Sequence, residues 1–313
     1  MKRGILCRFD CCGLGYETWD FWRNIHFDKG LGIKIDRLPQ DLKRFGDIPI
    51  FDFGRLAIAM SDSKDKMWTE FLEGLDVVFT IESPYHSRLF SLAREYGVKS
   101  VVKVNHEWWQ YDRPSMPDKV VYPEKWYTPK DVEVLTCPVY RKEIPFQLRE
   151  KALRFVHFAG FNAGHDREGT TLVKQANKFL TKTQIKIYDQ YTAPFATRDE
   201  MYKTGDVLIH PRRYGGQSLK LNEALSSGMV VLMTNMKPQN KILPEDWLVP
   251  INRVSQVRIT NPVEYCTFDP RVLAEMVDSL YGQNISEQSK IADQIAETRS
   301  WDTLRSRWEE ILS

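Results

Sequence analysis

Short apolar runs rich in β-branched residues alternate with helical patterns along the whole chain. In the first half, GILCRF (4–9), KIDRL (34–38), IPIFDF (48–53), DVVFTI (76–81), SVVKVN (100–105) and VEVLTC (132–137) read as strands. Between them, YETWDFWRNI (16–25) and SRLFSLAREYG (87–97) read as helices. The second half supplies the strands LRFVHFA (153–159), QIKIYD (184–189), DVLIHP (206–211) and MVVLMT (229–234). Its helices are GTTLVKQANKFL (169–180), LKLNEALSS (219–227) and DPRVLAEMVDSLYG (269–282). Strands that are apolar throughout, rather than alternately, are buried on both faces, which predicts parallel sheets covered by helices. The pattern pauses over the polar stretch Pro138–Arg149 and then restarts. This predicts an α/β protein of two doubly wound, Rossmann-like domains, with the pause as linker. The expected bounds are 1–148 and 149–298.

A length of 313 residues suits two such domains. The net charge of +2 neither demands nor repels nucleic acid. The five cysteines are odd in number and form no C-x-x-C pair, which argues against both a disulfide framework and a zinc site. The opening MKRGILCRFD has too short an apolar run for a signal peptide, and no stretch approaches a membrane span. A reduced, cytoplasmic, monomeric protein without membrane contact is expected.

The stretch RRYGGQSLKLNEAL (212–225) follows one strand and precedes the next. Its two glycines let backbone approach a ligand closely. Ser218 can cap a helix starting near Leu219, and the free N–H groups there form a natural phosphate site. Glu223, one turn inside, can accept hydrogen bonds from the paired hydroxyls of a ribose. A tight strand-to-helix turn carrying a solvated glutamate fits the spacing equally well.

The same stretch resembles the donor-site motif of family 4 GT-B glycosyltransferases, in which two glutamates stand eight positions apart. Glu223 matches the second, which the resemblance assigns to the nucleotide ribose. The first falls on Gly215, a departure that puts the grip on the donor sugar in doubt. Gly216, Gln217, Ser218 and Leu219 match the loop whose backbone meets the diphosphate. RFVHFAGFNAGHDREGTTLVKQA (154–176) resembles the family's first strand and phosphate turn through Gly160 and Gly169. Phe161 stands where that family has an arginine, leaving Arg167 and Lys220 as the substitute cations. RFDCCGLGYETWDFWRNI (8–25) resembles the glycine-rich loop of the N-terminal domain, which would bring Gly13 and Gly15 to the donor. VVKVNHEWWQYD (101–112) resembles the strand and histidine at the family's cleft, with His106 as that histidine. Glu82 and His86 would lie on the acceptor side. RSWDTLRSRWEEILS (299–313) resembles the terminal helix that returns to the first domain.

The resemblance implies transfer of a sugar from a nucleotide donor such as UDP-glucose to a hydroxyl, with no cofactor or metal and with retention at the anomeric carbon. If the reaction inverts instead, Asp10 or Glu107 is the expected base. The chain looks most like phage-encoded members, some of which modify hydroxymethylated DNA bases. Rings and cations are mixed over residues 105–130, including Trp108 and Trp109, and this suits a nucleic-acid surface. 5-Hydroxymethylcytosine in phage DNA, in the host cytoplasm, is therefore the expected acceptor. The alternatives are a carbohydrate or virion-protein acceptor, and a nucleotide-sugar-binding protein without turnover.

Overall fold

The computed structural model describes residues 1–35, 40–52, 62–113, 115–160, 165–189, 195 and 197–313. The chain forms two units, Met1–Cys137 with Leu304–Ser313, and Pro138–Thr303. None of the five cysteines is in a disulfide. No helix among the described residues is long and apolar enough to cross a membrane.

In the first unit the strands are β1 (Arg3–Arg8), β2 (Lys29–Lys34), β3 (Ile50–Asp52), β4 (Val77–Ile81), β5 (Lys99–Lys103), β6 (Lys119–Tyr122) and β7 (Glu133–Val134). They form one sheet in the order β3-β2-β1-β4-β5-β6-β7. Every pairing is parallel. Its helices are α1 (Gly13–Asn24), α2 (Asp62–Leu72) and α3 (Leu89–Glu95). Val77 to Ile81 are all buried, as expected of a strand covered on both sides.

Two expectations are corrected here. The second strand is KGLGIK (29–34), not 34–38, and residues 36–39 lie outside the described residues. Its glycines hide it from a propensity reading. They are required because the Trp22 ring lies 3.0 Å from a Cβ placed on Gly30, and the Phe9 ring fills the side-chain space of Gly32. The expected glycine-rich loop is the first turn of α1. A Cβ on Gly15 would collide with the Asp10 carbonyl, so this glycine lets helix and strand end pack closely. The segment 105–130 contains the strand β6.

The second unit has β8 (Phe155–Ala159), β9 (Ile185–Asp189), β10 (Val207–Ile209), β11 (Val230–Thr234) and β12 (Leu248–Val249). Their order is β12-β11-β10-β8-β9, again all parallel. An antiparallel hairpin, β13 (Arg253–Arg258) and β14 (Pro262–Thr267), escaped the sequence reading. The helices are α4 (Thr170–Ala176), α5 (Arg198–Lys203), α6 (Leu219–Ser226), α7 (Pro270–Leu280) and α8 (Ser286–Glu297), and α9 (Trp301–Ile311) begins in this unit and continues into the first. The polar pause is not a free linker. Val139 and Ile144 are buried in this unit's core, Ser226 donates to the Ile144 carbonyl at 2.6 Å, and the Arg149 N–H donates to Ser289 at 3.0 Å. The division accordingly falls after Cys137, ahead of position 148.

The terminal segment rejoins the first unit from Leu304 onward. Trp308 is fully buried there, edge-on to Phe21 at 4.8 Å and beside Phe79 at 5.8 Å. Its indole N–H donates to the Thr136 carbonyl at 3.1 Å. Trp308→Ala removes a large ring and strands that carbonyl. It is expected to destabilise the first unit by about 3–5 kcal/mol, with Trp308→Phe costing less. Urea unfolding followed by circular dichroism checks the order, and equal stability of all three proteins would contradict it.

Candidate functional site

All strands of a parallel sheet end at one edge, and ligands bind beyond it. In the second unit that edge is reached by β8 and β10, and the chain leaving each strand enters a helix: α4 after β8, α6 after β10. Ser218 stands at the N-cap of α6 in extended conformation, and its hydroxyl oxygen accepts the Leu221 N–H at 3.3 Å. This capping satisfies one orphan donor and leaves the other first-turn N–H groups facing outward from the helix end.

The turn before the cap is shaped by Gly215, whose φ of +120° is a conformation for glycine alone. The space a side chain would take at this position is filled by two guanidinium groups. A Cβ would collide with Arg212 and lie 2.7 Å from Nη2 of Arg167. Arg212 is buried and donates to the Gln217 carbonyl, while its own carbonyl accepts from Thr234. Arg167 lies over the Tyr214 ring at 5.5 Å. Lys220 donates to the Phe158 carbonyl at 2.8 Å and stands 3.6 Å from Glu168. The named charges around this turn are Arg167, Arg212, Arg213 and Lys220 against Asp166 and Glu168. Arg213 pairs with Asp166 at 3.6 Å and covers the Tyr265 ring at 3.9 Å, tying the β13–β14 hairpin to the turn.

Two buried histidines stand beneath. His157 on β8 lies 2.7 Å from the Ile209 carbonyl through Nδ1 and 2.8 Å from Thr170 through Nε2. His210, directly after β10, lies 2.9 Å from the Ser218 hydroxyl through Nε2, and its Nδ1 is 3.2 Å from Glu168. Burial pushes His157 down to about 4 and His210 down to about 3, so both are neutral near pH 7. Burial works to raise the Glu168 carboxyl, but Lys220, His210, Arg212 and Arg167 together hold it well below the usual range.

Glu223 is not the solvated residue of the simpler sequence reading. It is buried, and its carboxylate accepts from Arg198 at 2.6 Å and from Tyr202 at 2.6 Å. Arg198 also pairs with Glu143 at 2.5 Å. Gly216 and Gln217 are buried in the turn, and Leu219 opens the helix. Phe161 lies outside the described residues. The sequence reading gave no role to Arg212 or His210, although the paired arginines before the glycines were a visible signal.

In the first unit the expected residues separate into distinct environments. Asp10 is fully buried, bonded to Arg8 at 2.5 Å and accepting the Cys12 N–H at 3.1 Å, so its oxygens are engaged in holding the β1–α1 turn. Glu107 is fully buried as well. Either carboxylate as a base for an incoming hydroxyl is at odds with that burial. Trp109 is buried in the core with Arg113 over its ring at 4.9 Å, so it offers no stacking face, while Trp108 is half-buried. His86 is buried against Trp68 at 5.1 Å and accepts the Arg88 N–H at 3.2 Å, a packing role rather than an acceptor-side one. Glu82 directly follows β4 with a φ of +63° and accepts from Asn105 at 2.7 Å. Burial raises its carboxyl, and the nearby Glu107 adds to this while Asn105 opposes it. His106 stacks on Tyr127 at 4.7 Å, and its Nδ1 lies 2.8 Å from the Tyr111 hydroxyl, itself 2.7 Å from that of Tyr122. Gly13 is exposed in the first turn of α1. Among the described residues no group of three or more His, Cys, Asp and Glu side chains could hold a metal ion.

This architecture matches solved glycosyltransferases over the whole chain. Anabaena HepE in complex with UDP-glucose superposes with a TM-score of 0.68 at 11% identity, covering 100% of this chain and 99% of that one. The chain has the GT-B fold. The lipopolysaccharide outer core galactosyltransferase WaaB, in its apo form, gives 0.59 at 13% identity with 100% of both chains covered. Acinetobacter baumannii MurG gives 0.56 at 12% identity with 99% of both covered. No family profile matches the sequence, and neither does any curated protein. The kinship is thus of fold, at identities that carry no residue-by-residue transfer.

The buried histidines set a pH dependence. Their folded pKa values lie below the unfolded value of roughly 6.5, so below that pH the unfolded chain binds more protons and stability falls. The loss amounts to about 1.4 kcal/mol per pH unit for each histidine well below pH 6.5. Urea titrations of the second unit's transition at pH 7.0, 5.5 and 4.5 are expected to show it. A stability that stays flat down to pH 4.5 would exclude buried, neutral histidines.

Proposed function

We propose that the chain is a glycosyltransferase that takes its sugar from a nucleoside diphosphate donor, a UDP-hexose such as UDP-glucose. The observation that carries this reading is the capped N-terminus of α6, with Arg167 and Arg212 packed at Gly215 and Lys220, in the first turn of α6, beside Gly160. Helix N–H groups and dipole favour a phosphate, and guanidinium forks match its oxygens in geometry as well as charge. These same groups stabilise charge on the diphosphate as the bond to the sugar breaks, which is the contribution catalysis requires here. With three cations at the turn, the departure of the diphosphate needs no metal, and a metal-independent, retaining transfer is part of the proposal. The solved complexes of HepE with UDP and with UDP-glucose support the choice of nucleotide. Glu223 is assigned to the ribose hydroxyls, with Arg198 and Tyr202 holding its carboxylate in place.

For the acceptor, the charge on segment 105–130 favours one class. Arg113, Lys119, Lys125 and Lys130 are faced there by Asp112, Asp118 and Glu124, with Glu107 buried beneath. Nucleic-acid surfaces are electropositive, and this one is nearly balanced. Exposed Tyr127 stacked on His106 suits the apolar face of a sugar ring, which favours a carbohydrate acceptor. The 5-hydroxymethylcytosine base remains the second reading, on the strength of the exposed Tyr111 and Tyr127 rings, which could also stack on a base.

Calorimetry with UDP, UDP-glucose and uridine tests the donor site. Wild type is expected to bind UDP. Arg167→Ala is expected to weaken UDP about tenfold, the loss of one charge-assisted contact of roughly 1.5 kcal/mol, and to leave uridine unchanged. Absence of UDP and UDP-glucose binding by the wild type would falsify the proposal. Product analysis by mass spectrometry, with oligosaccharides and hydroxymethylated duplex as acceptors, separates the two acceptor readings.

A further inference from the structure

Ser218, His210 and Glu168 form a continuous chain of contacts under the N-terminus of α6. His210 Nε2 lies 2.9 Å from the Ser218 hydroxyl, and Nδ1 lies 3.2 Å from a Glu168 oxygen. His210 is 1% exposed and so shielded from bulk water. The Ser218 oxygen meanwhile accepts the Leu221 N–H at 3.3 Å. An oxygen that accepts from the helix can send its single proton to the nearby Nε2, which in a neutral ring leaves the hydrogen on Nδ1, the nitrogen nearer the carboxylate. Nδ1 and Glu168 stand at ion-pair distance without hydrogen-bond alignment, so the arrangement rests on the contact between Ser218 and His210.

We infer that His210 is a positioning residue for the nucleotide's phosphates, acting through Ser218. This rests on the donor-site reading above and assigns the work of the α6 N-terminus to a specific support. A serine cap with a free rotor turns its proton toward either the helix or the ligand. Held by His210, it presents only lone pairs to the helix, and the first turn keeps a single geometry. Glu168 has the complementary effect. Its negative charge, unwelcome beside a diphosphate, is drawn toward His210 and Lys220. His210 touches neither phosphate nor sugar in this arrangement, so its effect is on phosphate affinity and not on recognition of the base.

The test is binding of UDP and of uridine, measured by calorimetry and by ligand-observed NMR, to wild type, His210→Ala, His210→Gln, Ser218→Ala and the double alanine variant. Both alanine variants are expected to lose about tenfold in UDP affinity and to keep the affinity for uridine. The double variant is expected to lose no more than the worse single one, because the two residues act in series. His210→Gln, which restores an acceptor for the serine proton, is expected to recover most of the loss. Parallel loss of uridine and UDP, additive losses, or full UDP affinity in His210→Ala would each overturn the inference. If wild type binds uridine and UDP equally, the phosphate assignment itself fails. If wild type binds neither, the donor reading fails before the role of His210 is reached, and the inference falls with it.

Discussion

A parallel strand cannot follow its neighbour without a crossover, and this constraint places everything else in the molecule. In the second unit the crossovers from β8 to β11 carry helices, and each of these strands ends at the same edge and hands the chain to a loop there. In the second unit those loops deliver Arg167, Glu168, His210, Arg212 and Ser218 to one place from residues some fifty positions apart. The helix starting at Leu219 then presents unpaired N–H groups to the same spot. The site needs no special fold feature beyond that geometry. It needs cations, a capped helix end and a glycine where guanidinium groups fill the side-chain space.

The cost of this gathering is a dense set of buried charges, and the structure offsets it pair by pair. Glu223 meets Arg198 and Tyr202; Arg198 also meets Glu143. Buried pairs of this kind contribute little net stability, yet removing one partner leaves an expensive orphan. Their use is therefore geometric: they hold α5, α6 and the segment before Arg149 in a fixed relation. The same logic explains why Pro138–Arg149, polar in sequence, is not a linker. Glu143 and Ile144 are both engaged by the second unit, one by an ion pair and one by burial.

The sheets were largely legible because parallel strands buried on both faces leave continuous apolar runs. DVVFTI and MVVLMT each coincide with a strand to within a residue. What stayed hidden had particular causes. β2 carries two glycines because the Phe9 and Trp22 rings occupy the space above them, a tertiary demand invisible to a local pattern. β6 lay inside a segment whose tryptophans and lysines suggested a surface, although Trp109 and Trp126 are core residues. The β13–β14 hairpin is mostly exposed, with no apolar run to announce it.

The site divides along the same line. A strand, two glycines, a serine and a helix form a local sentence, and it could be read from RRYGGQSLKLNEAL alone. Side chains that act from a distance could not. His210 sits at the end of an apolar run where a histidine reads as packing, and only the fold reveals that Glu168 lies behind it. Asp10 and Glu107 show the converse: both follow strands, where a sequence reader looks for catalysis, yet both are fully buried. Position after a strand brings a residue to the functional edge, but whether its side chain turns outward depends on the partner it finds. Arg8 claims Asp10, whereas Glu82 is only half-buried after β4, its backbone in a conformation that costs on the order of 1–3 kcal/mol to hold. The partner, not the position, decides which carboxylates of the first unit remain open to an incoming hydroxyl.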